Sequence, residues 1–206
     1  MLKIWGRANS INVQKVLWCC AELGLAFERI DAGGKFGVVN TPEYLAKNPN
    51  GRVPTIEDGD FVLWESHAIV RYLARKHGAG TLWPEDERAA ADADRWMEWY
   101  STTVWPNLQP VFWNLVRVEP QHRDMKAVEA ARGRLAQDLG IVEQRLAGRP
   151  YLAGEAFTMG DIPMGVALHR WFLLPIERPE YPRLAAYYDR LRQRPAFQQH
   201  CSAPLT

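Results

Sequence analysis

Ser10 stands in a short polar turn, Arg7-Ala8-Asn9-Ser10-Ile11-Asn12, directly ahead of an apolar helical run. A hydroxyl there either caps the helix or offers a donor to an anion beside the positive end of the helix dipole. Further on, the chain reads Asn48-Pro49-Asn50-Gly51-Arg52-Val53-Pro54-Thr55-Ile56, then Glu57-Asp58-Gly59-Asp60, then Phe61-Val62-Leu63-Trp64-Glu65-Ser66. With a cis Val53–Pro54 bond, Val53 turns its N–H and C=O outward, where an extended ligand pairs with them as an added strand would. Ser66 opens the following helix with a hydroxyl, free backbone N–H groups and a positive dipole end, a combination that suits a carboxylate. Together these groups describe a grip on a small extended peptide.

The elements needed to position them are legible. Leu2-Lys3-Ile4-Trp5 reads as a strand, and Val13 to Leu23 as a helix with Val13, Val16, Leu17 and Cys20 on one face. Gly24 closes that helix, and Phe27-Glu28-Arg29-Ile30 is a second strand. Pro42 to Lys47 forms a short helix. Asp58-Gly59 turns a hairpin of two further strands, and Ser66 to His77 makes a third helix. The order βαβαββα is the thioredoxin-like layout, an α/β domain with a mixed sheet between helices. This domain is expected to span residues 1–79.

Gly78 to Asp86, with Gly, Trp-Pro and charge, reads as a linker. Beyond it no strand is expected, and residues 87–206 are assigned to an all-α helical bundle. Its helical runs are Glu87–Leu115 (bent or broken by Pro106 and Pro110), Asp124–Leu146, Asp161–Phe172 and Arg183–Gln193. Thr158-Met159-Gly160-Asp161 has the form of a capping box for the third of these.

The bulk properties narrow the function. In 206 residues, 25 basic side chains nearly balance 24 acidic ones, so no global field favours nucleic acid or an anionic membrane surface. The first residues lack an apolar targeting core and no apolar run reaches membrane-spanning length, which by default implies a cytoplasmic protein. Cys19, Cys20 and Cys201 form neither a disulfide framework nor a metal spacing. Cys20 reads as core and Cys19 as incidental. Five scattered histidines lack ligand pairing, so no metal is expected.

The pattern Asn-Pro-x-Gly-x-Val-Pro, a hairpin, and Glu-Ser-x-Ala-Ile resembles the glutathione-binding half of the glutathione transferase superfamily. The Thr158-x-x-Asp161 box after Tyr151-Leu152-Ala153-Gly154 extends the resemblance over the whole chain, nearest to serine-type, theta- and phi-like bacterial branches. It implies an enzyme with glutathione as co-substrate, which presents the tripeptide thiol as a thiolate to a small hydrophobic or halogenated electrophile. A free thiol has a pKa of ~8.5, and lowering it by about two units takes ~2.7 kcal/mol. One hydroxyl hydrogen bond to an anion supplies roughly 1.5–3 kcal/mol and a helix N-terminus roughly 0.3–1. One donor at a helix start is sufficient.

The resemblance also distributes roles. It makes Ser10 the catalytic hydroxyl, with Asn12 as helper or replacement through its amide. Val53 and Pro54 present backbone to the cysteinyl unit, and Glu65 and Ser66 hold the γ-glutamyl end. Arg52 stands next to the glycine end, unless it is only a solvated loop charge. The basic residue expected on the second helix is not matched at Val39-Asn40, and Lys35 is its substitute. Trp105, Phe112, Trp113 and Arg117 line the electrophile pocket, unless the aromatics are core. A homodimer is implied, with His67 and Arg71 on an exposed face of the third helix. A non-catalytic adaptor of the same fold, and a glutathione-dependent disulfide or peroxide reductase, remain the alternatives.

Overall fold

The computed structural model describes residues 1–206. Its first part contains β1 (Leu2–Trp5), α1 (Ile11–Glu22), β2 (Phe27–Ile30), α2 (Pro42–Leu45), β3 (Thr55–Asp58), β4 (Phe61–Trp64) and α3 (Ser66–His77). The strands form one mixed sheet in the order β2-β1-β3-β4, with β1 parallel to β2 and antiparallel to β3. Ile4 lies opposite Ile56 in the register, and both are fully buried. Alternation along the strands sends Trp5 and Thr55 to the other face, where Tyr44 of α2 meets both. The thioredoxin-like expectation matches this architecture.

The remainder is helical: α4 (Glu87–Trp99), α5 (Trp105–Phe112), α6 (Met125–Arg145), α7 (Asp161–Leu173), α8 (Pro182–Arg192) and α9 (Pro195–His200). The prolines do not break the first run. Two wide π-turns, Tyr100–Val104 and Trp113–Arg117, flank α5 and carry the helical path from Glu87 to Arg117. The first of these turns contains Thr102, whose carbonyl loses its donor and meets the ring at Pro106, and its wider path accommodates both. The Asn107 and Asn114 amides donate to the Thr103 and Pro110 carbonyls. The first π-turn matters for function, because it aims Tyr100, Ser101 and Trp105 at a cleft between the halves.

One apolar core runs through both halves. Trp18 of α1 is its centre, edge-on to Phe197 at 5.0 Å and tilted against Phe157 at 5.4 Å. Arg194 adds a bidentate ion pair to Glu22 at 2.6 and 2.7 Å. The two halves are therefore fixed relative to each other along α1, the helix whose N-terminus carries Ser10.

Two local expectations are corrected. Thr158 does not cap α7; its hydroxyl and N–H donate to Asp161 Oδ2, at 3.3 and 2.8 Å. Asp161 Oδ1 accepts from the Leu152 N–H and the Tyr187 hydroxyl, so the carboxylate is a fully buried hub tying a loop and α8 to α7. Cys19 is not incidental: like Cys20 and Cys201 it is buried in the core.

Candidate active site

Tyr44 and Asn48 build the loop that presents Val53. The Tyr44 hydroxyl and the Asn48 amide both donate to the Arg52 carbonyl, at 2.7 and 2.8 Å, and the Asn48 amide also reaches Thr55 Oγ1. The Asn48 side-chain oxygen accepts from the Asn50 N–H, which closes the turn. Gly51 follows at φ 58, and a Cβ there would stand 3.1 Å from the Val39 carbonyl. The next peptide bond, Val53–Pro54, is cis. No backbone hydrogen bond within the chain uses the Val53 N–H or C=O.

At the end of β4, Glu65 holds a positive φ of 71 just before Ser66, the first residue of α3. Such a conformation costs a residue with a side chain ~1–3 kcal/mol and is found where a site requires it. Glu65, Ser66, Val53, Pro54 and Arg52 line a cavity of about 530 Å³ with Asn12, Lys15, Arg71 and Glu98. Its mixed charges fit a zwitterion.

A second cavity of about 680 Å³ adjoins it on the helical side, with Ser10, Lys35, Phe112, Trp113 and Arg117 in its wall. Asn12, Arg52, Val53 and Trp105 line both cavities. Every residue singled out for the site in the sequence therefore lies on one of two adjoining spaces. Ser10 is at the N-cap position of α1 and makes no side-chain cap bond, so its hydroxyl is not spent on the helix.

The centre of the site is a residue that sequence reasoning missed. Lys15 is 2 % exposed, and its Nζ lies 3.0 Å from Asn12 Oδ1, 3.0 Å from His67 Nε2 and 4.2 Å above the Tyr100 ring. With Oδ1 occupied by the lysine, the Asn12 amide N–H group is the half left for the site. Both ring nitrogens of His67 are engaged, Nε2 by Lys15 and Nδ1 by Ser101 Oγ, each at 3.0 Å. Burial, then Lys15 and Arg71, push the His67 pKa down to about 2, so the ring is neutral. Burial, followed by repulsion from Arg170, lowers Lys15 well below its ordinary value, and Glu65 partly offsets this.

His67 is thus part of the site and not an exposed dimer face. Arg71 is half-buried, paired to Asp94 and Glu98. A lysine among apolar helix residues was the available sequence signal, but its neighbours come from α3 and the first π-turn and are invisible in α1 itself. The three protein thiols are all buried, with burial pushing Cys20 up to about 12 and raising Cys19 and Cys201 well above the ordinary thiol value. None lines either cavity.

A thioredoxin-like half that leaves the Val53 backbone open just ahead of β3, joined to a helical half that helps to wall two adjoining cavities, defines a two-domain fold with its cleft between the halves. Comparison with known proteins makes this specific. Residues 1–75 match the family model described as "Glutathione S-transferase, N-terminal domain", and residues 125–190 match "Glutathione S-transferase, C-terminal domain". Glutathione S-transferase GstB of Escherichia coli (strain K12) is 36% identical, with 100% of each chain covered. Glutathione S-transferase 3 of Zea mays is also 36% identical, over 98% of this chain and 94% of its own. The theta class glutathione S-transferase from Xanthomonas axonopodis pv. citri, solved with glutathione bound, superposes with a TM-score of 0.96 at 47% identity, covering 100% of this chain and 99% of that one. The chain belongs to the glutathione S-transferase family.

Proposed function

We infer that this glutathione transferase ionises the glutathione thiol at Asn12 and Ser10 and delivers the thiolate to an electrophile seated against the helical half. The observation that carries the reading is the position of Asn12. It lies where the two cavities meet, next to the open Val53 backbone, with its acceptor oxygen already held by Lys15. A sulfur on a cysteinyl unit paired with Val53 reaches that junction, where the amide donor, the free Ser10 hydroxyl and the α1 dipole favour its anion.

The rest of the tripeptide follows the cleft. Ser66 at the start of α3 takes the γ-glutamyl carboxylate and Glu65 faces its ammonium. Arg52 and Lys35 receive the glycine carboxylate, and Pro54 shapes the turn under the cysteinyl unit. Trp105, Phe112, Trp113 and Arg117 form the wall for the second substrate. In the reaction the S–H proton leaves to solvent, a C–S bond forms at the electrophilic carbon, and the leaving group, a halide in the simplest case, departs. We assign the protein to the cytoplasm as a homodimer in detoxification; gel filtration at monomer size would remove the dimer.

The test is an absorbance titration of bound glutathione thiolate in wild type, Ser10→Ala and Asn12→Ala. Asn12→Ala raises the thiol pKa by about one unit or more, as loss of one charge-assisted hydrogen bond requires. Ser10→Ala raises it as well if the hydroxyl shares the sulfur. A thiol pKa unmoved by both replacements defeats the mechanism.

A further inference from the structure

The two adjoining cavities differ in charge. The first mixes Lys15, Arg52 and Arg71 with Glu65 and Glu98. The second is lined by Arg7, Lys35, Arg52, Arg117 and Arg170 and by no acidic residue. Lys35 and Arg52 sit at the glycine end of the tripeptide and are accounted for there. Arg7, Arg117 and Arg170 are not.

Arg170 is the sharpest anomaly. It is 4 % exposed, it makes no ion pair, and its Nε has no hydrogen-bond partner. Its only side-chain hydrogen bond is from Nη1 to Gln14 Oε1, at 3.3 Å. Its guanidinium stands 4.7 Å from the Phe112 ring centre, and that of Arg117 lies 5.8 Å from the same centre. Burial pushes Arg170 down to about 10, and Arg117 and Arg7 add repulsion against the opposing pull of Tyr100 and Cys201. Arg7 is lowered by burial and then by Arg117. A buried cation without a counter-charge is destabilising, and here three guanidiniums feel one another with nothing of opposite sign in the wall.

We propose that the second cavity is an anion-accepting substrate site, so that the preferred electrophile carries a carboxylate or equivalent negative group bound by Arg170 and Arg117 around Phe112. The proposal rests on the transferase reading above and narrows its second substrate. Trp105 and Trp113 provide flat apolar surface for the body of such a molecule, and the arginines hold its charged end. Arginine suits this task because its planar fork meets a carboxylate with two parallel bonds.

The test compares two chloronitroarenes, neutral 1-chloro-2,4-dinitrobenzene and anionic 4-chloro-3,5-dinitrobenzoate, at saturating glutathione. In both the thiolate sulfur bonds to the ring carbon, the C–Cl bond breaks and chloride leaves. Each kcat/KM is divided by the uncatalysed rate constant with glutathione, which removes the difference in intrinsic reactivity. The expected result is a corrected preference for the benzoate of about tenfold or more, the worth of one charge-assisted bond. Arg117→Gln and Arg170→Gln each reduce that preference about tenfold. Arg117 is exposed, so its variant carries the test even if Arg170→Gln does not fold.

A corrected preference at or below one, or one unchanged in Arg117→Gln, overturns the proposal and leaves the transferase reading standing. A raised glutathione KM with an unchanged preference assigns the arginines to the tripeptide and also overturns it. No turnover of the benzoate overturns the proposal, while the thiolate titration above decides the transferase reading separately.

Discussion

Lys15 donates from Nζ to the side-chain oxygen of Asn12 across 3.0 Å, three residues back along α1, and both side chains face the same cavity. The lysine is buried without a carboxylate partner, so its charge and direction are spent on that amide, on His67 and on the Tyr100 face. It is a positioning residue for the thiolate donor. Lys15→Met is expected to raise the pKa of bound glutathione by about one unit. In an Asn12→Ala background the same change adds little, because the donor it orients is gone. Additive effects in that double-mutant cycle would separate the two residues.

The buried imidazole makes stability depend on pH. His67 has its folded pKa near 2 and an unfolded value of ~6.5. Between those values the unfolded chain binds a proton that the folded one does not. Its stability contribution is therefore complete above ~6.5 and declines as pH falls, by up to ~1.4 kcal/mol per pH unit. His67→Gln is expected to flatten the pH 6 to 4 limb of urea-denaturation stability. Parallel limbs in the two proteins would contradict this.

Asp161 is a hydrogen-bond hub whose two oxygens accept only from donors. Asp161→Asn sets an NH₂ group against one pair of them, at a cost of about 3 kcal/mol. Thr158→Val removes only the long 3.3 Å bond and is expected to cost ~1 kcal/mol or less. Equal losses in chemical denaturation would refute the hub assignment.

Gly165 in α7 touches the ring of Trp18, and a Cβ on it would stand 2.6 Å from two ring carbons. Alanine is the better helix former by ~1 kcal/mol, yet overpacking here costs ~1–3 kcal/mol and moves the tryptophan that joins the halves. Gly165→Ala is expected to be less stable than wild type, with altered tryptophan fluorescence. A more stable variant would show that the seam yields freely.

Burial of Cys19, Cys20 and Cys201 has a simple chemical consequence. A chromogenic disulfide reagent near neutral pH is expected to find no fast thiol in the native protein and three after denaturation. Replacing all three with alanine should leave the conjugation reaction in place. A rapidly reacting native thiol would reopen a protein-cysteine mechanism.

The sequence by itself determined the strands, the main helices and the turn that opens Val53, because those rest on local rules. Period-2 and period-3.6 patterns, the Asp58-Gly59 hairpin and the Asn48–Pro54 segment each declare themselves within a few residues. It also placed Ser10, Asn12, Glu65 and Ser66 at helix starts, where their chemistry depends on a dipole that belongs to the same element. Tertiary structure alone decided which buried polar residue faces which. Lys15 reads as one lysine in an apolar helix until His67 and Tyr100 close over it, and Arg170 as a helix charge until Phe112 and Gln14 bury it. Thr158 reads as a cap until Leu152 and Tyr187 bring Asp161 its other donors. Those neighbours lie far off in the chain, and the worth of a charge or hydrogen bond is set by what surrounds it in space.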